Sequence, residues 1–422
     1  MQQLKKKIGS WYFWGMLLSV SVLFVLGQFQ RLPGLNLSVY WIDVVIALST
    51  IIFCATHPSK IKRLITHFFQ TVLKVAWLRV LCLIIVAGWI VALARGNFSW
   101  YTFLYLARYS SYALWGWSVW QQISQNQRRQ KPAERILLIT GLLLAWFGLL
   151  QYFFVPDTRF LAILGWDDHL GRLISTLLDP GFTSLILSYT FFIVILTYYS
   201  HLKLKIALLL GLLLSIVLTY SRASYLSLGA GWFTLLALQP SIRYSLMKRK
   251  RAVMLLGGIA FGLVLILFVW RPYKGEGTYL ARTSTISARL TANQSYLKRL
   301  SLDQWILGQG LFVATISPQN QITLLQNGTA SIPNHSRFPD NSIVWIITQV
   351  GLSGLAVLAV ALGWLLGRWR SQPLLLVLLV VTLCHSLFMA TLTYNFAWIF
   401  LTWTWAVTKR PEPINPKVVT TN

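Results

Sequence analysis

Runs of apolar residues, each about as long as one membrane-crossing helix, recur along the chain and are separated by short polar clusters. A helix crosses the ~30 Å hydrocarbon core of a bilayer in about 20 residues. On that ruler the pattern predicts spans over 11–27, 40–56, 73–94, 99–120, 135–155, 180–200, 204–220, 223–239, 252–270, 341–366, 373–391 and 393–408. The expected fold is all-α: a polytopic transmembrane helical bundle of about twelve spans, forming a single integral membrane domain over 1–422. No internal repeat, low-complexity segment or separate soluble domain interrupts it.

The polar segments between spans fall into two alternating sets. One set is short and carries 23 of the 37 Lys and Arg residues, including Lys5–Lys7, Lys60, Lys62, Arg63, Lys74, Arg128, Arg129 and Arg243–Arg251. The positive-inside rule makes these loops cytoplasmic, with both termini on that side. Of the ten acidic residues only Glu134 and Glu412 fall there. The other face carries two long segments, a smaller outer loop at 156–179 and a large one at 271–340. Long polar loops on a rigid scaffold are where function concentrates. Within the large loop, Leu290, Leu297, Leu300 and Leu307 share one helical face before Gly308 and Gly310, which predicts a helix from Ser287 to Leu307. Asp179-Pro180 predicts the start of the next span, with Asp as N-cap and Pro at the first helical position.

Composition supports the bilayer reading and narrows the chemistry. Hydrophobic residues make up 56% and charged residues 11% of the chain. The formal net charge of +27 is spread over many loops, which argues against a nucleic-acid partner and for membrane lipids. Trp11, Trp14, Trp100, Trp270, Trp345, Trp403 and Trp405 lie near span ends, where Trp anchors helices at headgroup level. Cys54, Cys82 and Cys384 fall inside apolar runs and read as small buried hydrophobes. Lys5–Lys7 with the first span reads as a signal anchor, since no small-residue cleavage site follows. There is no P-loop, dinucleotide fingerprint or metal-ligand spacing of Cys and His. Carboxylates are nearly absent from span centres, which counts against a proton-coupled transporter.

Arginines are the positive signal. Arg222 follows Ser221 at the outer junction of two spans, Arg172 precedes Asp179-Pro180, and Arg289 opens the predicted loop helix. Arg108 sits mid-span, where a charge costs about 2.5–3.5 kcal/mol; it reads either as a site residue or as a structural one bonded between helices. Arg159, Lys298 and Arg299 read as solvated or lipid-facing. A guanidinium is always charged and its planar fork fits phosphate oxygens, so several around one outer cavity would form a metal-independent diphosphate site. Candidates for a general base lie in Pro333-Asn334-His335-Ser336-Arg337-Phe338-Pro339-Asp340-Asn341. An unperturbed histidine such as His335 would titrate near neutrality, and an aspartate at a helix start, as Asp340 is expected to be, would be held ionised and could accept a hydroxyl proton. Asp340 or Asn341 equally reads as the N-cap of the span that follows.

The order of these motifs resembles the O-antigen ligase and O-antigen polymerase family of bacterial membrane glycosyltransferases. The segment from Arg172 to Pro180 is similar to that family's Arg and Asn/Asp-Pro lead-in to a mid-chain span, and Thr219-Tyr220-Ser221-Arg222 to its Thr-x-Ser-Arg signature. Arg289, Trp305 and Gly308-Gln309-Gly310 resemble its loop helix and Gly-x-Gly. Asp340-Asn341, ten residues before Gly351-Leu352-Ser353-Gly354, resembles its His-Asn and Gly-x-x-Gly span. The likeness covers roughly 150–400. It implies a bacterial cytoplasmic-membrane enzyme that takes a polyprenyl-diphosphate-linked glycan as donor and a saccharide or lipid-core hydroxyl as acceptor. It also implies that no nucleotide, metal or other cofactor takes part. By position, Arg222, Arg289 and Arg172 would hold the diphosphate, with Ser221 and Asn341 in support. Asp340 stands where many ligases have His, so the base is Asp340 by position or His335 by residue type. A transporter of a lipid-linked saccharide or small anion is the alternative class, and a scaffolding subunit a third.

Overall fold

Pro58, Asp179-Pro180, Ser301, Asn341 and Pro373 stand at the starts of helices in this chain. The computed structural model describes residues 2–32, 39–96, 101–164, 166–197, 202–238, 272–313, 339 and 341–408. Among them the chain is all-helical, without strands; two isolated bridges join Arg31 to Tyr40 and Asp157 to Leu170. The α-helices are α1 (Gln2–Leu26), α2 (Trp41–Thr56), α3 (Pro58–Lys74), α4 (Ala76–Ala94), α5 (Tyr101–Gln125), α6 (Gln130–Phe154) and α7 (Pro180–Thr197). They continue as α8 (Leu202–Val217), α9 (Arg222–Leu238), α10 (Ser284–Lys298), α11 (Leu302–Leu307), α12 (Ser342–Arg368), α13 (Pro373–Ser386) and α14 (Asn395–Thr408). Five of the described helical stretches are long and apolar enough to cross a membrane: 10–30, 76–94, 127–154, 180–197 and 342–368. Helices α2 and α3 meet that test only together, and a bend of 101° separates them. The span expected at 252–270 lies outside the described residues.

Helix α7 is the centre of the bundle. It carries no charged residue and is buried on every side, and α6, α8, α9, α13 and α14 pack around it. Its Ser184, Ser188 and Thr190 are buried but not costly, because each hydroxyl donates to a carbonyl four residues back at 2.7–2.9 Å. Phe24, Phe396, Phe400 and Trp403 complete this core. Trp403 and Trp345 are buried rather than placed as headgroup anchors. Trp403 meets Trp115 edge-on, and Trp345 packs near Phe312; Trp11, by contrast, is 79% exposed. The three cysteines are half-buried and unbridged.

Two sequence expectations need correction. The residues before α4 are not a short loop: Pro58 at a helix start and a regular apolar period make them the separate helix α3. The single helix expected over 287–307 is two helices. It breaks because Ser301 starts α11, its N–H donating to Gln304 Oε1 at 3.1 Å in a capping-box pairing.

Helix α12 is broken at Gly351 (φ 67°, ψ −174°), and the segment after α11 docks into the break. Gln309 N donates to Thr348 O at 2.8 Å and Gly310 N to Gln349 O at 3.0 Å, which satisfies carbonyls that the interruption releases. In the other direction, Ser353 Oγ donates to Ile306 O at 2.6 Å. Ile84, Phe312, Ile346 and Val350 close a second small core around this junction, with Tyr109 stacked on Phe312 at 5.2 Å.

Candidate functional site

The smaller loop folds back on itself before α7. Thr158 donates through both N and Oγ1 to His169 O at 2.9 Å, and Leu173 N donates to Leu218 O at 2.9 Å. The second of these bonds ties the loop to the α8–α9 turn and sets Arg172 beside it, where Arg172 Nε donates to Thr219 O at 3.0 Å. Asp179 then caps α7, with Phe182 N donating to its Oδ1 at 2.8 Å, as the Asp-Pro pair predicts.

The α8–α9 turn places the next arginine. Tyr220 takes a left-handed conformation (φ 53°), reversing the chain so that Arg222 opens α9. Arg222 Nη1 donates to Arg282 O at 2.8 Å and Leu280 O at 3.3 Å, which brings the 272–283 segment over the turn. Arg282 in turn donates to the carbonyls of Gly277 and Tyr279. From α10, Arg289 Nη1 reaches Phe388 O, beyond the end of α13, at 3.2 Å. Asn341 caps α12, its Oδ1 accepting from Ile343 N at 2.8 Å and Val344 N at 3.2 Å, while its Nδ2 donates to Leu387 O at 2.6 Å.

These segments enclose a cavity of about 870 Å³. Arg172, Arg222, Arg282 and Arg289 line it, as do Ser221 and Asn341. The starts of α7 and α9 also face it through Pro180, Gly181 and Ala223. Helix N-termini carry partial positive charge and favour anions. Burial, and then repulsion from Arg282, lower the Arg172 guanidinium to about 10. Burial and the neighbouring Arg222 and Arg289 lower Arg282 as well. Cations packed this closely are relieved by a bound anion, and each is preorganised by backbone carbonyls. The cavity also has carboxylates, Asp167, Asp168, Asp179 and Glu276, and an apolar side formed by Leu226, Ile286, Leu290 and Phe388. Leu226, Ile286 and Leu290 are about half exposed. The arrangement suits an amphiphile with an anionic head and polar substituents.

Of the residues singled out in the sequence, Arg172, Arg222, Arg289, Ser221 and Asn341 share this cavity. His335 and Asp340 lie outside the described residues. Arg108 stands elsewhere: its Nη2 donates to Asp43 Oδ2 at 2.8 Å, Tyr112 donates to the other carboxylate oxygen, and both charged side chains are about nine-tenths buried. It joins α5 to α2, and of its two readings this is the structural one. Removing Arg108 alone strands the Asp43 charge and is expected to cost about 3–5 kcal/mol. The Arg108→Met/Asp43→Asn double variant should recover most of that in a thermal-unfolding mutant cycle. Arg159, expected as solvated, pairs with Asp157 at 2.7 Å on the cavity rim.

Sequence reasoning missed Arg282, Lys274 and His169 in the lining. The available signal was the polar cluster Asp167-Asp168-His169 inside the smaller loop. His169 is 8% exposed, and its Nε2 has no hydrogen-bond partner among the described residues. Burial first, then Arg172 and Arg282, hold its pKa near 3, so it stays neutral. The unfolded chain takes up that proton near pH 6.5. Acidification from 6.5 towards 3 therefore favours unfolding through this group, by up to about tenfold per pH unit. The His169→Gln variant should lose stability less steeply than the native chain over that window when melting is followed against pH.

Among the described residues no group of three His, Cys, Asp or Glu side chains is arranged to hold a metal ion. Compared with protein-family models and with curated proteins, the chain matches none.

Proposed function

We propose that this chain is a polytopic membrane glycosyltransferase of the O-antigen ligase or polymerase type, acting on the outer side of a bacterial cytoplasmic membrane. The observation that carries the reading is the convergence of Arg172, Arg222, Arg282 and Arg289 on one cavity with an apolar side. A polyprenyl diphosphate has the matching chemistry: a doubly anionic head for the arginines and an apolar chain for Leu226, Ile286 and Leu290. The twelve-span topology with cytoplasmic termini belongs to the same proposal and rests on the distribution of Lys and Arg.

In this reading an acceptor hydroxyl attacks the anomeric carbon of the donor sugar, and the bond from that carbon to the diphosphate oxygen breaks. Charge builds on the departing diphosphate, and fixed guanidinium groups stabilise it most at that moment. The hydroxyl proton passes to a base, assigned to Asp340 by position with His335 as the alternative. Ser221 and Asn341 support the site by holding the α9 turn and the α12 start. Deleting the gene in its host and sizing the lipid-linked glycans tests this. Accumulated polymers mean a ligase and single repeat units a polymerase; an unchanged pool removes the proposal and favours transport.

A further inference from the structure

Helix α3 has an apolar face that the described chain leaves open: none of its residues is buried. At about 100° per residue, Ile61, Leu64, Ile65, Phe68, Phe69 and Leu73 fall within one half of its circumference. Lys60, Arg63, His67 and Lys74 fall within the opposite half, while Lys62 falls inside the apolar half near its edge, between Phe69 and Leu73. Phe68, Phe69 and Leu73 are 52%, 61% and 66% exposed. A sorted helix of this kind in water would cover that face with other parts of its own fold.

Its surroundings identify what does cover it. The axis turns 101° from that of α2, and α4, which follows at once, is long and apolar enough to cross a bilayer. At the start of α4, Trp77 meets Trp364 from the last turns of α12 at 5.9 Å, and Arg368 and Arg370 lie just beyond. Paired Trp residues followed by basic ones mark a headgroup level. From His57 to Lys74 the chain holds four Lys or Arg and no Asp or Glu. A long helix with one apolar face and one basic face, set crosswise at that level, matches an interface that is apolar below and anionic above.

We propose that α3 is an interfacial helix lying in the plane of the membrane surface, its basic face binding the anionic headgroups of the cytoplasmic leaflet. The proposal rests on the membrane embedding of α4 and is independent of the chemistry at the arginine cavity. Lys62, near the edge of the apolar half, reaches the headgroups along its apolar stem.

Spin labels on the full-length chain test it, in a background with Cys54, Cys82 and Cys384 replaced by Ala. Labels are introduced by Phe69→Cys on the apolar face, His67→Cys on the basic face and Leu83→Cys on α4. The protein is placed in vesicles of phosphatidylcholine alone or with roughly one-third phosphatidylglycerol. The label at 69 should collide with lipid-dissolved oxygen more than with a water-soluble nickel chelate, and the label at 67 the reverse. The fraction of label at 69 in the lipid environment should rise about twofold with phosphatidylglycerol. The triple substitution Lys60→Gln, Arg63→Gln, Lys74→Gln should remove that rise. Equal aqueous exposure at 67 and 69, with 83 in lipid, overturns the proposal. Shielding of 69 from both reagents does so too, by indicating a protein partner, and indifference to phosphatidylglycerol overturns the anionic recognition. If 83 also reads as water, the membrane embedding itself fails, whatever the cavity binds.

Discussion

Replacing Arg222 by lysine should slow glycan transfer about a hundredfold, and replacing it by alanine about a thousandfold. The lysine variant is the informative one, because it keeps the charge. Arg222 is held in place by the carbonyls of Arg282 and Leu280 while it lines the cavity. A guanidinium with five N–H donors in a rigid fork bonds to those carbonyls and to a diphosphate at once. A lysine ammonium is a point charge on a flexible stem, so reaching either set of partners weakens its hold on the other. The loss should appear mainly in kcat, since charge on the leaving diphosphate grows towards the transition state. The check is the transfer rate from a labelled lipid-linked donor, with thermal stability and donor affinity measured alongside. Arg222→Lys transferring at the native rate would reduce Arg222 to a tether for the 272–283 segment.

How far the site was legible in the sequence depended on what fixes each residue. Arg172, Arg222 and Asn341 lie close to helix starts whose signals are local: Asp179-Pro180, the α8–α9 turn and Asn341 itself. A helix start fixes the level of a nearby residue along the bundle, so these could be assigned to one region from sequence alone. Arg282 could not. It lies in an irregular stretch without periodicity, and its place depends on contacts with Gly277, Tyr279 and Arg222. Arg108 illustrates the other limit. A mid-span charge signals that a partner exists, but Asp43 lies 65 residues earlier and on another helix. Helix α3 was readable, with Pro58 at its start and a clear apolar period. Its basic residues, scattered through the period, read equally well as loop charge, which hides the helix.

Substituting Gly351 should disturb the α10–α11 segment more than any other single change in α12. Its backbone (φ 67°, ψ −174°) lies in a region that only glycine occupies without strain. A Cβ there would stand 2.1 Å from Ile306 O and 2.4 Å from Ile306 C. Those atoms are backbone, so no side-chain rotation relieves the clash, and α11 must move away. Movement breaks the bonds from Gln309 N to Thr348 O and from Gly310 N to Gln349 O and reopens the gap in α12. Gly308 reinforces the constraint from the other side, since its own Cβ would meet Gln349 C at 2.3 Å. Strain and lost hydrogen bonds together predict a cost of about 4 kcal/mol for Gly351→Ala. The exposed neighbour offers a control: Leu352→Ala should stay within about 0.5 kcal/mol of native. Amide exchange at Gln309 and Gly310 reads the junction directly and should accelerate in Gly351→Ala alone. Because α10 connects to α11 through only Arg299–Ser301, a released α11 also loosens Arg289 from Phe388. Gly351→Ala should therefore weaken donor binding from outside the cavity lining. Native exchange rates and a native melting temperature in that variant would mean that the break in α12 is held by something other than the glycine pair.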